Sequence, residues 1–219
     1  MSIVENLSQL KANLPKDVTL VAVSKTKPIS DLMQAYAAGQ RIFGENKIQE
    51  MVGKWEEMPK DIQWHMIGHV QTNKVKYMAP FVSLIHAVDS MKLLKEIHKQ
   101  ALKNDRTISC LLQIKIAEEE TKFGMSADQA TALLDSEELK QLDGVKVVGL
   151  MGMATFTGDR DQLTREFTFL RKVFDSLQTK HPFLTDLSMG MSGDYDLAIQ
   201  LGSSMVRVGS AIFGARNYG

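Results

Sequence analysis

The sequence predicts a closed (β/α)₈ barrel, and three observations favour it. First, eight short runs rich in valine, isoleucine and leucine follow one another, at residues 18–24, 41–43, 62–67, 82–88, 108–116, 145–151, 184–188 and 204–208. Second, most runs precede a segment with apolar residues at helical spacing. Third, the units average about 24 residues, enough for one strand, one helix and two connections. This alternation predicts a parallel sheet, and eight repeats close into a barrel.

An open doubly wound sheet is the structural alternative. That fold wants a glycine-rich turn after its first strand, whereas the turn here reads SKTKP at residues 24–28. The chain shows no linker, low-complexity segment or shift in composition, so residues 1–219 are expected to form one domain. About ten residues follow the eighth run, fewer than a closing helix needs. We expect the amphipathic helix predicted at residues 2–13 to cover that seam.

Composition excludes several classes of partner. The 219 residues include 26 Lys plus Arg and 26 Asp plus Glu, so the formal net charge is zero and no basic face for nucleic acid is indicated. The N-terminus lacks a basic segment before an apolar core, and nowhere do eighteen apolar residues run together. We therefore expect a cytoplasmic monomer without a membrane partner. Cys110 lies in an apolar run and is predicted to be a buried thiol.

The ends of strands one, two, seven and eight carry the chemistry. In a closed barrel, strand eight lies beside strand one, and the carboxyl ends of the strands form the site. Those ends read SKTKP (24–28), FGEN (43–46), SMGMSGD (188–194) and MVRVGSAIFGAR (205–216). They supply a lysine, an asparagine, an arginine and two turns of glycine and serine. Loops after strands seven and eight are the usual phosphate site of this fold, because they offer backbone N–H groups and hydroxyls.

A lysine facing a bound phosphate predicts a Schiff base with a phosphate-bearing aldehyde, which describes pyridoxal 5′-phosphate (PLP). Lys25 closes an apolar strand, where burial disfavours its ammonium form, and Lys27 is its competitor. Simpler interpretations remain open. Lys25 can be a solvated lysine, Asn46 a helix cap and Arg207 part of a structural ion pair, with Gly209-Ser210 only a turn.

Several motifs together resemble the pyridoxal phosphate homeostasis protein family over nearly the whole chain. They are VAVSKTKP (21–28), FGENKIQE (43–50), WHMIGHVQTNK (64–74), HAVDS (86–90), IAEEETKFG (116–124), LSMGMSGDYDLAI (187–199) and MVRVGSAIFGARNY (205–218). That family is similar to the N-terminal barrel of alanine racemase and of the basic amino-acid decarboxylases. The resemblance implies such a barrel without their second, β-rich domain.

The resemblance also implies the site. It implies a PLP aldimine on Lys25, an arginine, Arg207, facing the pyridine nitrogen, and an asparagine, Asn46, near the cofactor. Phosphate contacts are implied at Met191, Ser192, Gly209 and Ser210. The family often has threonine at the last position, and either hydroxyl can bond a phosphate oxygen. The implied function is intracellular PLP (vitamin B6) homeostasis with little or no turnover, and PLP-dependent apo-enzymes are possible partners.

Two enzymatic alternatives stay open at this point. One is a PLP-dependent racemase or lyase, and the other is a phosphosugar-type barrel enzyme whose Lys25 forms Schiff bases with substrate alone. Racemisation needs a second acid/base group, which in related two-domain racemases is a tyrosine of the β-rich domain. The tyrosines here fall in predicted outer helices, at a helix start or in the tail, at Tyr36, Tyr77, Tyr195 and Tyr218. A non-catalytic role is therefore expected.

Three further features receive simpler interpretations. His65 and His69 have the spacing of metal ligands on a helix, but WHMIG indicates a strand, so no metal site is predicted. His65 is expected either at the barrel mouth or, more ordinarily, as a hydrogen-bonded core histidine. Residues 118–120 are predicted to be a solvated loop tip, and Lys122 a surface lysine that can approach the cofactor.

Overall fold

The computed structural model describes residues 2–118 and 123–215. Within them, eight parallel strands form a closed barrel, each paired with the next and the last paired with the first. The strands are β1 Thr19–Val23, β2 Ile42–Glu45, β3 Gln63–Met66, β4 Leu84–Val88, β5 Ile108–Ile114, β6 Val145–Gly152, β7 Asp186–Met191 and β8 Met205–Val208. The predicted (β/α)₈ barrel is confirmed, and the described residues contain no second sheet.

Helices surround the barrel. They are α1 Ile3–Asn13, α2 Ile29–Ala37, α3 Ile48–Glu57, α4 Val75–Met78, α5 Met91–Leu102, α6 Ala127–Leu134, α7 Glu137–Lys140, α8 Arg160–Lys180, α9 Tyr195–Gln200 and α10 Ser210–Phe213, with a 3₁₀ turn at Thr72–Lys74. In the part of the chain that the structure describes, no helix combines the length and apolar character needed to cross a membrane.

Two strands extend by two or three residues beyond the apolar runs that predicted them. The second run, 41–43, becomes a strand that continues to Glu45, and the seventh, 184–188, becomes a strand from Asp186 to Met191. Apolar composition marks burial in the core, whereas strand pairing continues into the polar ends that line a site. Sequence patterns therefore placed both strands but ended them too early.

The N-terminal helix α1 covers the seam between the first and last barrel units, as predicted. Ser2 and Glu5 form a capping box at its start, and its own residues Leu7 and Leu10 are buried against the barrel. A polar residue of α1 also contacts the helix that follows β8: Asn6 Nδ2 donates to the carbonyl of Ile212 in α10 at 3.1 Å. Helix α1 therefore packs on both α2 and α10.

The apolar core has two parts, one on each face of the sheet. The larger part lies between strands and helices and includes Trp64, Phe43 and Phe167. The smaller part comprises inward-facing side chains inside the barrel, at Val21, Leu84, Ala87, Leu111, Met151 and Met205. Because this inner cluster packs the barrel interior, it is a core and not a channel. Space for a ligand is left at the carboxyl ends of the strands.

The close approach of β6 and β7 makes Gly149 sensitive to substitution. A Cβ atom there would lie 1.8 Å from the carbonyl oxygen of Asp186, whereas a Cβ on Gly53 in α3 would meet nothing within 4 Å. We expect Gly149→Ala to lower the free energy of unfolding by about 3 kcal/mol. Gly53→Ala should raise it by up to about 1 kcal/mol, since alanine is the better helix former. Urea unfolding measures both, and equal stability of the two variants would contradict this packing.

Candidate functional site

A cavity of about 750 Å³ opens at the carboxyl ends of the strands. All seven residues predicted for the site line it: Lys25, Asn46, Met191, Ser192, Arg207, Gly209 and Ser210. Lys27 and Asp194 also line it, as do residues of the loops after β3 and β6. The strand ends therefore converge as the barrel geometry requires.

Alternation along β1 directs Lys25 into this cavity. Val21 packs in the barrel interior, and Val23 and Lys25 line the cavity, two and four residues further on. The intervening Ala22 and Ser24 face the helices: Ala22 belongs to the outer core, and Ser24 contacts Glu45 on that side. Lys25 thus follows an apolar strand, two residues beyond its end at Val23, at the point where the barrel interior opens onto a polar site.

Lys27, the predicted competitor, has a different environment. It also lines the cavity, but its Nζ donates to the backbone carbonyls of Phe213 at 2.9 Å and Ala215 at 3.0 Å. These carbonyls lie at the end of α10, where a cation is electrostatically favourable. Lys27 therefore ties the start of α2 to the segment that follows β8.

Two turns form one wall of the cavity. The hydroxyl oxygen of Ser192, after β7, accepts the backbone N–H of Gly209, after β8, at 3.1 Å. Gly209 packs closely on β1, since a Cβ there would lie 3.0 Å from the carbonyl oxygen of Val23. Ser210 begins α10 and exposes its side chain at the same wall. The arrangement presents hydroxyl and backbone groups to a ligand, which suits an anion.

Asn46 does not cap a helix, and Met191 does not present a free backbone N–H to the cavity. Lys47, not Asn46, stands at the N-cap of α3, so Asn46 faces the cavity rather than capping a helix. The backbone N–H of Met191 is already donated to Asp194 Oδ1 at 2.5 Å, which leaves its side chain as the group that lines the cavity. Asp194 was not predicted. Its position immediately before α9, at the end of the SMGMSGD segment, was the sequence feature that could have indicated it. Burial raises the pKa of its carboxyl.

Arg207 is a buried cation at the base of the site. Its Nη1 donates to Ser188 Oγ at 2.6 Å and its Nη2 to the carbonyl of Gly152 at 2.9 Å. Burial lowers the pKa of Arg207 to about 10, so the guanidinium stays charged at neutral pH. These two bonds use two of its five N–H donors and orient the rest.

The sequence matches known proteins over almost its full length. A family described as "Alanine racemase, N-terminal domain" matches residues 1–217. A pyridoxal phosphate homeostasis protein of Aquifex aeolicus is 38% identical over 201 residues, covering 91% of this chain and 87% of that protein. The homologue of Escherichia coli with the same name is 36% identical, covering 93% and 88%. The chain belongs to the pyridoxal phosphate homeostasis protein family.

Solved structures agree with this family membership. PipY of Synechococcus elongatus, solved with PLP bound, superposes with a TM-score of 0.89 at 36% identity, covering 97% of this chain and 100% of that one. An alanine racemase of Clostridium difficile gives a TM-score of 0.79 at 13% identity, covering 99% of this chain and 60% of that one. The second likeness concerns the fold alone.

Behind Arg207, this family member has a chain of hydrogen bonds across the barrel. His86 Nδ1 lies 3.0 Å from Ser188 Oγ, and His86 Nε2 lies 3.0 Å from His65 Nδ1. Since β4 and β7 are three strands apart around the barrel, the contact between His86 and Ser188 passes through its interior. His65 is therefore a hydrogen-bonded core histidine and does not line the mouth.

Arg207 sets the direction of this chain. A guanidinium has donors alone, so Ser188 Oγ accepts from Arg207, and its own buried proton needs another acceptor. We assign that acceptor as His86 Nδ1, which puts the His86 proton on Nε2, where it is donated to His65 Nδ1. Both imidazoles are then neutral. Burial supports this assignment, since it lowers the pKa of His65 to about 3 and that of His86 well below its ordinary value.

The remaining features have separate environments. His69 is exposed, stacks on Phe123 with ring centroids 5.2 Å apart, and lines the cavity, a role the sequence did not indicate. Cys110 is buried as predicted, and burial raises the pKa of its thiol. Glu118 is exposed and pairs with Arg165, whereas residues 119 and 120, Lys122 and Tyr218 lie outside the described residues. Among residues 2–118 and 123–215, no metal-binding group of three or more His, Cys, Asp and Glu occurs.

The two neutral histidines make stability depend on pH. Below the ordinary histidine pKa of about 6.5, the unfolded chain binds protons at these positions and the folded chain does not. Acidification from pH 7 to pH 4.5 should therefore lower the free energy of unfolding, by on the order of a few kcal/mol. His65→Asn, whose amide oxygen can accept the same proton, should reduce that slope. Histidine ring signals followed by NMR check the assignment, and titration of His65 near pH 6 would refute it.

Proposed function

We propose that this chain binds PLP covalently through Lys25 and takes part in PLP homeostasis. The observation that carries the proposal is the convergence of Lys25, Arg207 and the Ser192-Gly209 wall on one cavity. The PLP-bound structure of PipY, which shares the fold over 97% of this chain, supports it. In this proposal, residues 1–219 act as one PLP-binding domain in the cytoplasm.

The residues present fit the chemical parts of PLP. Its phosphate is a dianion at neutral pH and needs donors, which the hydroxyls of Ser192 and Ser210 supply, while the Gly209 N–H holds Ser192 in place. Its ring nitrogen is an acceptor, and the guanidinium of Arg207 offers N–H donors alone. When bound, PLP supplies an aldehyde that condenses with a lysine amine.

Each residue then has one role. Lys25 Nζ would bond to the aldehyde carbon with loss of the carbonyl oxygen as water, and Asn46 lines the same cavity after β2. Arg207 is held by Ser188 and Gly152, so it donates to the ring nitrogen and does not protonate it. An unprotonated pyridine is a weak electron sink, which disfavours chemistry at the α-carbon of an amino acid.

A binding role also accounts for what the cavity wall lacks. Among the described residues, those lining the cavity include no tyrosine, the residue type that supplies the second acid/base group in the related two-domain racemases. Tyr36 instead donates to Asp61 at 2.9 Å on the exposed surface. We therefore propose that the protein holds and releases PLP with little or no turnover, with PLP-dependent apo-enzymes as recipients.

The identity of the attachment lysine can be tested by substitution. Lys25→Ala should abolish covalent PLP, while Lys27→Ala should retain it, because the Lys27 amine is donated to two carbonyls. The measurement is borohydride reduction of the PLP-treated proteins, followed by peptide mapping of the pyridoxyl group. Recovery of the group mainly on Lys27 or Lys122 would overturn the assignment.

The absence of efficient catalysis is a separate prediction. The PLP-loaded protein, incubated with L- and D-alanine, serine, lysine and ornithine, should show turnover far below about 1 per second, an ordinary enzymatic rate. Optical rotation and product chromatography follow the reaction, and the Lys25→Ala protein is the control. Turnover at an enzymatic rate that disappears in this control would establish the racemase or lyase alternative instead.

A further inference from the structure

The turn that carries Lys25 is held from outside the barrel wall by a buried ionic cluster. We infer that this cluster, which we call the brace and which consists of Glu45, Glu50 and Lys54, positions Lys25 for attachment of PLP. Glu50 and Lys54 lie on α3, and Glu45 ends β2. The inference rests on the proposed function and adds positioning residues that do not themselves touch the ligand.

The backbone beside Lys25 adopts an unfavourable conformation. The N–H of Lys27 donates to the carbonyl of Ser24 at 3.1 Å and closes a four-residue turn in which Lys25 is second and Thr26 third. Thr26 has φ of +64°, in the left-handed region. Turns with positive φ at the third position favour glycine, and a β-branched residue there costs about 1–2 kcal/mol. A non-glycine residue in this conformation needs support from its surroundings.

The brace supplies that support on both sides of Lys25. Lys54 Nζ donates to the carbonyl of Ser24 at 2.8 Å, and Glu50 Oε1 accepts the backbone N–H of Thr26 at 2.6 Å. Lys54 Nζ also donates to Glu50 Oε1 at 2.7 Å, so the two contacts are joined by an ion pair one helical turn apart on α3. The peptide groups before and after Lys25 are thus tied to one helix.

The burial of these charges indicates that the brace positions the Lys25 turn more than it stabilises the fold. The Lys54 side chain is 7% exposed and that of Glu45 is fully buried, with 2.8 Å between Lys54 Nζ and Glu45 Oε1. Ser24 Oγ also donates to this carboxylate oxygen, at 2.6 Å, while Glu45 Oε2 has no hydrogen-bond partner among the described residues. The free energy cost of desolvating such charges is about as large as the gain from their attraction. A cluster of apolar residues at these positions would therefore give about the same stability.

The geometry also separates the brace from the ligand. Ser24 faces the helices and Lys25 faces the cavity, so brace and cavity lie on opposite sides of β1. Of the three brace residues, none lines the cavity. Through the two peptide groups, the brace sets the direction in which the Lys25 side chain leaves the backbone. It therefore affects attachment to Lys25 and leaves phosphate and ring contacts unchanged.

The test compares two ligands in Glu50→Ala. This variant loses the acceptor for the Thr26 N–H, and we expect its affinity for PLP to fall on the order of tenfold. Its affinity for 4′-deoxypyridoxine 5′-phosphate, which has the ring and phosphate but no aldehyde, should equal that of the wild type. Glu50→Gln keeps an acceptor oxygen and should restore PLP binding. Glu57→Ala, an exposed glutamate on the same helix, is the matched control.

Thr26→Gly provides an independent test, because glycine adopts positive φ without a steric penalty. In the double variant Thr26→Gly/Glu50→Ala, covalent attachment of PLP, read from the absorbance of the lysine-bound cofactor, should recover part of the loss. A purely structural role for Glu50 would weaken both ligands equally and would not be rescued by glycine, and that result would overturn the inference. Wild-type protein without covalent PLP would instead refute the proposed function, on which this inference rests.

Discussion

The pairing of β1 with β8 is the constraint on which the site depends. The register aligns Val21 with Arg207 and Ala22 with Val208, so the first and last strands end side by side. Closure brings the Lys25 turn, near the start of the chain, against the Gly209 turn, near its end. Without it, the lysine and the wall of donors would belong to opposite edges of an open sheet. The contact of Gly209 with Val23 shows how closely the two ends approach.

Just beyond the end of β1, two successive polar residues face opposite sides of the barrel wall. One face presents Lys25 to the cavity, and the other presents Ser24 to the carboxylate of Glu45. Deeper in the barrel, Arg207 lines the cavity, and its guanidinium is held by Ser188, which also faces the barrel interior. Lys25, through Ser24, and Arg207 are therefore each connected to buried polar groups that do not line the cavity. Such groups cost free energy to bury, and their place behind the site explains why that cost is tolerated.

The proposed role, in which the protein holds PLP with little turnover, agrees with the exposure of part of the cavity lining. The loops after β3, β5 and β6 add three exposed aromatic side chains to the lining of the cavity, those of His69, Phe123 and Phe156. An accessible site excludes water poorly, so electrostatic stabilisation of a developing charge is weak there. Access to the cavity from solvent is consistent with the proposed binding and release of PLP.

The sequence by itself determined the strand order, the barrel and seven of the residues that line the cavity. Those features follow from local periodicity and from the rule that parallel strands end together, so residue order was sufficient. Tertiary structure alone decided the His65-His86-Ser188 chain, the brace around Lys54 and the partner of Lys27. His86 and Ser188 are 102 residues apart, and their contact depends on barrel register and on the direction of each side chain. Neither quantity is encoded in local composition, because a buried polar residue and a solvated one look alike until the neighbouring elements are in place.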